Sequence, residues 1–414
     1  MGDPLFEALQ QQQQHDAVAW LPSYSQLSKL QLPATTNPPS ATNPPKQKVW
    51  LIFGATGHMG RSVTKSALSH GDIVCAVGRT FENSLSSMQN WHKDPDRYLG
   101  LLCDVRIRET VQAVINKTMQ QFGRIDIIAN CSGYGVIGSC EDQDEQEIRN
   151  QFETNFMGTL NIIQLSLPSF RERQQGRYLI FSSTSGALGV PGLGPYCATK
   201  YAIEGLIESM LYEVDTFNIK ATLVQPGHLR RDDVHVQANG DRLPMFGHFK
   251  VAKASEPYQG KDSPAAHAKR MLHWMGDNQP TSVVKAAELV WQLGHCSYPP
   301  LRLLLGTFAV DSIRDRLKSI IEEIEDWKHL NFLPLEGQEL ELEEEQGPEN
   351  DNDQEQEEQD QDQDEDDDVD DDAHDDLHDD DEAGTKDQVK LEEQESLDKR
   401  KETSVTRDVA MEEG

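Results

Sequence analysis

Residues 49–60 read Val49-Trp50-Leu51-Ile52-Phe53-Gly54-Ala55-Thr56-Gly57-His58-Met59-Gly60. Five apolar residues in a row, with no polar alternation, read as a strand buried on both faces. The glycines after it mark a tight turn, and helical spacing resumes over residues 59–69. Strand, glycine-rich turn and helix in that order form a phosphate-binding arrangement. The glycines let an anion approach the backbone, and the helix start offers unpaired N–H groups and a positive dipole end. Gly54, Thr56, Gly57, Met59 and Gly60 are therefore candidate dinucleotide contacts.

The same alternation continues along the chain. Apolar runs at 73–77, 99–103, 125–129, 178–182, 220–224 and 302–305 read as strands. Helical spacing covers 107–122, 145–167, 196–217 and 311–327. Buried strands separated by helices predict an α/β fold, a doubly wound parallel sheet in a single domain over residues 48–335. Such sheets bind ligands beyond the C-terminal ends of their strands. Residues 228–300 break the rhythm with scattered prolines, glycines and polar residues, which suggests a substrate-facing excursion. Met271 and Trp274 within it suit a pocket wall and a core equally well.

The two ends of the chain differ from the middle. Residues 1–47 hold the run Gln10–Gln14 and two proline pairs, and residues 336–382 hold 28 acidic residues with no Lys or Arg. Neither composition buries enough apolar surface to offset chain entropy, so 1–47 and 336–414 are expected to be disordered. The tail carries nearly all of the net charge of −33. The central domain is close to neutral. An acidic tail repels nucleic acid and anionic membranes, so no nucleic-acid partner is expected. Docking of a basic partner on the tail is the less favoured reading. The six cysteines show no CxxC spacing, no signal peptide is visible, and no apolar run is long enough to span a bilayer. A reducing compartment, cytoplasm or nucleus, is the expected location. His374 and His378 stand among aspartates, but nothing there fixes a geometry, and no metal site is expected.

Two further stretches carry chemistry. The second predicted strand ends in Gly78-Arg79-Thr80, with no carboxylate at the place where one commonly holds a ribose 2′-hydroxyl. A guanidinium at Arg79, assisted by Arg61, suits a 2′-phosphate, which favours NADP(H) over NAD(H). Tyr196-Cys197-Ala198-Thr199-Lys200 places a phenol and an ammonium four residues apart, on one face of a helix. The ammonium is expected to lower the phenol's pKa and make it a proton relay. Ser183 lies just past the fifth long strand, Asn155 lies inside the preceding helix, and the fourth strand runs into Asn130-Cys131-Ser132-Gly133.

Taken together, these residues resemble the short-chain dehydrogenase/reductase family over about residues 47–330. The glycine-rich turn, Asp104-Val105, Asn130–Gly133, Asn155, Ser183, Tyr196 with Lys200, and Pro226-Gly227 fall in family order. Gly133-Tyr134-Gly135, Gly194-Pro195-Tyr196-Cys197 and Glu204-Gly205-Leu206 look most similar to the branch around 17-beta-hydroxysteroid and retinol dehydrogenases.

The resemblance implies hydride transfer between NADP(H) and a small-molecule carbonyl or alcohol. Tyr196 would act as general acid or base, and Lys200 would tune it and hold the nicotinamide ribose. Ser183 would bind the substrate oxygen, and Asn155 would assist a water-linked relay. Asp104 and Val105 would meet the adenine, Asn130, Ser132 and Gly133 would line the groove, and Pro226, Gly227 and Leu229 would lie near the nicotinamide. It also implies a homodimer through the helices that hold Asn155 and Tyr196.

Two departures stand out. His58 occupies a place where the family commonly has glycine, with Gly57 one position early, and Arg231 occupies the place of a carboxamide-binding threonine. Two other readings therefore stay open. One is a catalytically silent cofactor-binding regulator acting through its acidic tail. The other is an epimerase or dehydratase of the extended branch.

Overall fold

The computed structural model describes residues 30–80, 83–230, 248–278 and 281–330. In it, the glycine-rich stretch opens a sheet of parallel strands. In chain order the strands are β1 (Val49–Phe53), β2 (Ile73–Arg79), β3 (Tyr98–Cys103), β4 (Ile127–Asn130), β5 (Gly135–Ile137), β6 (Gly176–Phe181), β7 (Ile219–Pro226), β8 (Phe249–Val251) and β9 (Arg302–Leu305). Seven of them form one sheet in the order β3-β2-β1-β4-β6-β7-β9, and β5 with β8 forms a separate ribbon. Every pairing is parallel. The strand order reverses between β1 and β4, so a crevice opens there at the C-terminal ends.

The helices are α1 (His58–Ser69), α2 (Leu85–Gln89), α3 (Arg108–Phe122), α4 (Glu145–Phe152), α5 (Gly158–Arg173), α6 (Gly194–Val214), α7 (Pro264–Asn278), α8 (Val283–His295) and α9 (Thr307–Trp327). Two cores flank the sheet. Leu51 and Phe53 of β1 join Val114 of α3, Ile162 of α5 and Ile207 of α6 on one face. Trp50 and Ile52 join Val63 of α1, Met88 of α2 and Val290 of α8 on the other. All five residues of β1 are fully buried, which is why the strand carries no polar alternation.

The structure corrects two expectations drawn from composition. Residues 283–295, expected within a substrate-facing excursion, are the core helix α8. Its apolar residues Val283, Ala286, Ala287, Val290 and Leu293 recur at helical spacing, and the Ser282 hydroxyl caps it by accepting from the Lys285 N–H. Asp72 fastens this helix to the sheet. Its carboxylate accepts from the indole N–H groups of Trp50 and Trp291, both at 2.9 Å, and meets His295 at 2.8 Å.

Residues 30–47, expected to be disordered, lie against the body. Leu32 is buried in the second core, and the Gln292 side chain accepts from the Leu32 N–H (3.0 Å) and donates to the Leu30 carbonyl (2.9 Å). One apolar anchor and a paired backbone outweigh the low-complexity composition. Residues 1–29, Arg231, the side chain of Trp274, and the tail with His374 and His378 lie outside the described residues. No helix among the described residues is long and apolar enough to cross a membrane.

Candidate active site

The crevice between β1 and β4 is shaped by backbone proximity. Gly54 has φ +71°, and a Cβ on it would stand 2.7 Å from the Cys131 carbonyl carbon and the Ser132 nitrogen. A Cβ on Gly60 would meet the Gly54 carbonyl oxygen at 2.2 Å. These two glycines let the first turn of α1 close onto the turn after β1. Gly57 differs. It is the N-cap of α1 with φ −71°, and a Cβ there would meet only Gly54 O, at an ordinary 3.5 Å. The fold does not need a glycine at that position, and no side chain caps the helix start. Thr56 and Met59, in the same turn, are half-buried.

The other groove candidates gather along the strand ends. Arg79, the last residue of β2, reaches across to donate to the Gly133 carbonyl at 3.1 Å. Arg61 lies elsewhere. Its guanidinium sits 4.3 Å above the Trp91 ring, beside a cavity of about 340 Å³ between α1 and the β3 entrance. Asp104 is paired with Arg106 at 2.6 Å, and that hydrogen bond holds its carboxyl below the usual range. Val105 packs against Gly158, where a Cβ would lie 2.6 Å from its methyl carbon. Asn130 donates to the Thr159 hydroxyl at 2.9 Å and accepts from the backbone and hydroxyl of Ser132. This bracing sets the turn that leads to Gly133.

The helix that starts at α4 widens into a π-helical turn, Glu153–Met157, before continuing as α5. Asn155 sits in that turn, fully buried. Its carboxamide accepts from the Tyr134 N–H (3.0 Å) and donates to the Tyr134 carbonyl (2.8 Å) and the Thr199 hydroxyl (2.9 Å). Thr199 in turn donates to the Tyr196 carbonyl at 2.7 Å. Asn155 thus couples the loop after β4 to the helix that carries Tyr196 and Lys200.

Tyr196 and Lys200 share the inner face of α6, and both are buried. The Ser183 hydroxyl lies near enough to the phenol to favour its ionised form. The Lys200 ammonium donates to the Phe181 carbonyl at 2.9 Å and lies 5.6 Å from the Tyr196 ring centre. The expected lowering of the phenol's pKa is not what this geometry produces. Burial raises Tyr196 well above the usual phenol range, and the Ser183 hydroxyl only partly opposes it. Burial also pulls Lys200 down to about 8, against the opposing field of Glu204. At both groups desolvation outweighs the opposing interactions, Ser183 at the phenol and Glu204 at the ammonium.

Three residues of this site had no signal in the motif. His248 brings its Nε2 to 3.3 Å from the Tyr196 hydroxyl, and Phe249 meets the Tyr196 ring edge-on at 5.1 Å. The β5–β8 ribbon places both, with Gly135 donating to the His248 carbonyl. Glu204, one turn past Lys200, is buried and accepts from Ser182 and Gln225, each at 2.7 Å, with Arg302 beyond at 3.4 Å. Helical spacing from Lys200 is the only hint that Glu204 faces inward. Ile137, Leu193, Cys197, Ala265 and Ala268 surround Tyr196 with apolar surface. At the end of β7, Pro226 is half-buried, Gly227 donates to Leu305, and Leu229 packs on the second core.

A doubly wound parallel sheet with its polar groups gathered at the strand ends defines a dinucleotide-binding type of protein. The family model for short chain dehydrogenase matches residues 48–240. Oxidoreductase BOA17 of Botryotinia fuckeliana is 30% identical over 284 residues, 69% of this chain and 98% of that protein. A 3-ketodihydrosphingosine reductase of Bacteroides thetaiotaomicron is 31% identical over 180 residues, 44% of this chain and 63% of that protein. A short-chain dehydrogenase structure from Streptomyces avermitilis superposes with a TM-score of 0.59 at 29% identity, covering 69% of this chain and 98% of its own. The chain belongs to the short-chain dehydrogenase family.

Proposed function

We propose that the protein is an oxidoreductase that transfers a hydride between NADP(H) and an apolar carbonyl or alcohol. The observation that carries the reading is the burial of the Tyr196 phenol with the Lys200 ammonium 5.6 Å from its ring, at the strand ends and on the Ser183 side of the crevice. The chain's residues fit a dinucleotide. The uncapped start of α1 and the space above Gly57 suit a phosphate, and Arg79 at the end of β2 suits a 2′-phosphate. Gly54, Thr56, Met59, Gly60, Asp104, Val105, Asn130, Ser132, Gly133, Pro226, Gly227 and Leu229 would line the remainder of the groove. The nicotinamide, when bound, supplies or accepts the hydride.

In the reducing direction, Ser183 holds the substrate oxygen and Tyr196 delivers its proton to that oxygen as charge develops. A phenol with a raised pKa stays protonated at neutral pH and is ready to donate. Lys200, with its pKa near neutrality, holds a proton that it can return. Asn155 keeps Tyr134 and Thr199 in register, so the donor stays aimed. His248, on the phenol's oxygen in this structure, lies where a substrate oxygen must come. The apolar surface around Tyr196 favours a ketone or aldehyde on a hydrocarbon framework, as in the steroid and retinol branch or in a long-chain ketone.

The test is NADPH oxidation with a panel of steroid, retinoid and long-chain ketones and aldehydes. Turnover that Tyr196→Phe lowers at least a hundredfold, with NADPH still bound, is the expected result (about 10²–10⁴ for a proton-transfer group). Turnover unaffected by that substitution would sink the assignment.

A further inference from the structure

Tyr196, Lys200 and Glu204 stand four residues apart along α6, so all three face the sheet, and all three are buried. The first two belong to the site already described. Glu204 carries a charge that a domain places inside only where it is well paired. Its carboxylate accepts from the Ser182 hydroxyl and the Gln225 side-chain amide, each at 2.7 Å, and meets the Arg302 guanidinium at 3.4 Å. Ser182 follows β6, Gln225 lies in β7 and Arg302 opens β9. One side chain thus ties α6 to three strands that are neighbours in the sheet.

The tie falls beside the reacting groups. Phe181, Ser182 and Ser183 are consecutive. The Phe181 carbonyl accepts from the Lys200 ammonium at 2.9 Å, the Ser182 hydroxyl donates to Glu204, and the Ser183 hydroxyl lies near the Tyr196 phenol. The turn that follows lies directly on the carboxylate. A Cβ on Gly186 would stand 2.2 Å from Glu204 Oε1 and 2.6 Å from Ser182 Oγ. Gln225 is held by the same group. Its side-chain nitrogen faces Glu204, and its own oxygen is buried without a hydrogen-bond partner. The reverse orientation would set that oxygen against the carboxylate.

We infer that Glu204 is a positioning residue for the reaction proposed above, and the inference rests on that reading. Its carboxylate clamps the strand end that carries Ser183 to the helix that carries Tyr196 and Lys200, and it places a negative charge one turn from the ammonium. Burial lowers the pKa of Lys200, and the field of Glu204 acts against that shift. Tyr196 and, from the loop after β4, Cys131 also face the ammonium, but burial raises both well above their usual ranges and keeps them uncharged. Arg302 faces Glu204 from β9 and is shared with Glu208 at its outer end. Glu204 therefore supplies the negative charge that lets Lys200 hold a proton near neutral pH.

Two variants separate the clamp from the charge. Glu204→Gln keeps the shape and removes the charge, and the new amide accepts from Ser182 while donating to the Gln225 oxygen. Glu204→Asp keeps the charge but is one carbon shorter, so it releases Ser182 and Gln225. The charge is read from urea unfolding against pH, as the stability gap between each chain and the same chain carrying Lys200→Met. Lys200 has a lower pKa folded than unfolded, so the gap begins to rise where the folded lysine loses its proton, at about pH 8 in the native chain. In Glu204→Gln that onset should fall by about one unit, the low end for an opposite charge within about 6 Å. In Glu204→Asp it should stay within about half a unit of the native onset.

The clamp is read from kcat with NADPH and the best carbonyl substrate. It should fall about a hundredfold in Glu204→Asp, as for a group displaced by about 1 Å, and stay near the native value in Glu204→Gln at that variant's own pH optimum. An unmoved onset in Glu204→Gln, or an unmoved kcat in Glu204→Asp, would overturn the inference. A native chain that turns over no carbonyl would overturn the reaction and the positioning role with it, and an onset that still moves in Glu204→Gln tells that failure from a failure of the contact.

Discussion

Replacing Asn155 with alanine isolates what the π-helical turn does for the site. Asn155 satisfies both main-chain groups of Tyr134, accepting from its N–H at 3.0 Å and donating to its carbonyl at 2.8 Å. Tyr134 is itself buried, so water does not take over both bonds. Each buried main-chain group left without a partner costs about 1–3 kcal/mol. The Thr199 hydroxyl keeps its own bond to the Tyr196 carbonyl, so its loss adds little. A single water entering the space of the carboxamide recovers about one group. The expected loss is therefore about 1–3 kcal/mol, a sizeable part of the roughly 5–15 kcal/mol that holds a domain folded.

The assay is urea unfolding followed by far-ultraviolet circular dichroism, with stability extrapolated to water. Asn155→Asp sharpens the test. It keeps the acceptor for the Tyr134 N–H but sets a carboxylate oxygen against the Tyr134 carbonyl, so it should be less stable than Asn155→Ala at neutral pH. A loss below about 1 kcal/mol in the alanine variant would refute the reasoning, because two buried main-chain groups cannot be abandoned that cheaply.

Lys200 predicts a pH dependence. Its pKa is lowered from 10.5 to about 8 by burial, so between those values the unfolded chain binds more protons and native stability rises with pH. Lys200→Met should lack that rise, and the gap between wild type and variant should shift by on the order of 3 kcal/mol from pH 7 to pH 10.5 in urea titrations; a constant gap would contradict it. Gly57→Ala should fold normally yet bind NADPH at least tenfold more weakly, whereas Gly60→Ala, with its Cβ driven onto the Gly54 carbonyl, should lose about 1–3 kcal/mol of stability. Fluorescence titration and thermal melts separate the two, and equal effects in both variants would undo the distinction. Arg79→Asp should abolish any preference for NADPH over NADH in the same titrations; an unchanged preference would remove the case for a 2′-phosphate contact.

The sheet was legible because its strands are buried on both faces, so unbroken apolar runs such as Val49–Phe53 stand out from helical spacing. Edge strand β9 was visible as an apolar run, with bounds Arg302–Leu305 as expected, although only Leu305 is buried. The π-helical turn was invisible, since a one-residue widening leaves the three- and four-residue spacing of 145–167 almost intact. His248 was invisible too. Its place depends on parallel pairing between β5 and β8, more than a hundred residues apart, and three-residue strands leave almost no pattern. The buried Asp72 that anchors α8 reads as an ordinary turn residue until its two indole partners are brought to it. The opposite shifts of Tyr196 and Lys200 needed burial as a quantity, which spacing along a helix does not contain.

The ribbon of β5 and β8 has a consequence for how this scaffold diversifies. Arg230 bridges to Ser282 on one side, and the ribbon clamps His248 and Phe249 on the other. The intervening stretch therefore begins and finishes at fixed mounts. Both mounts are held by main-chain pairing, so side chains at Arg230, His248 and Phe249 can change without loosening them. The surface that the ribbon presents to Tyr196 can therefore change while the sheet beneath it stays the same.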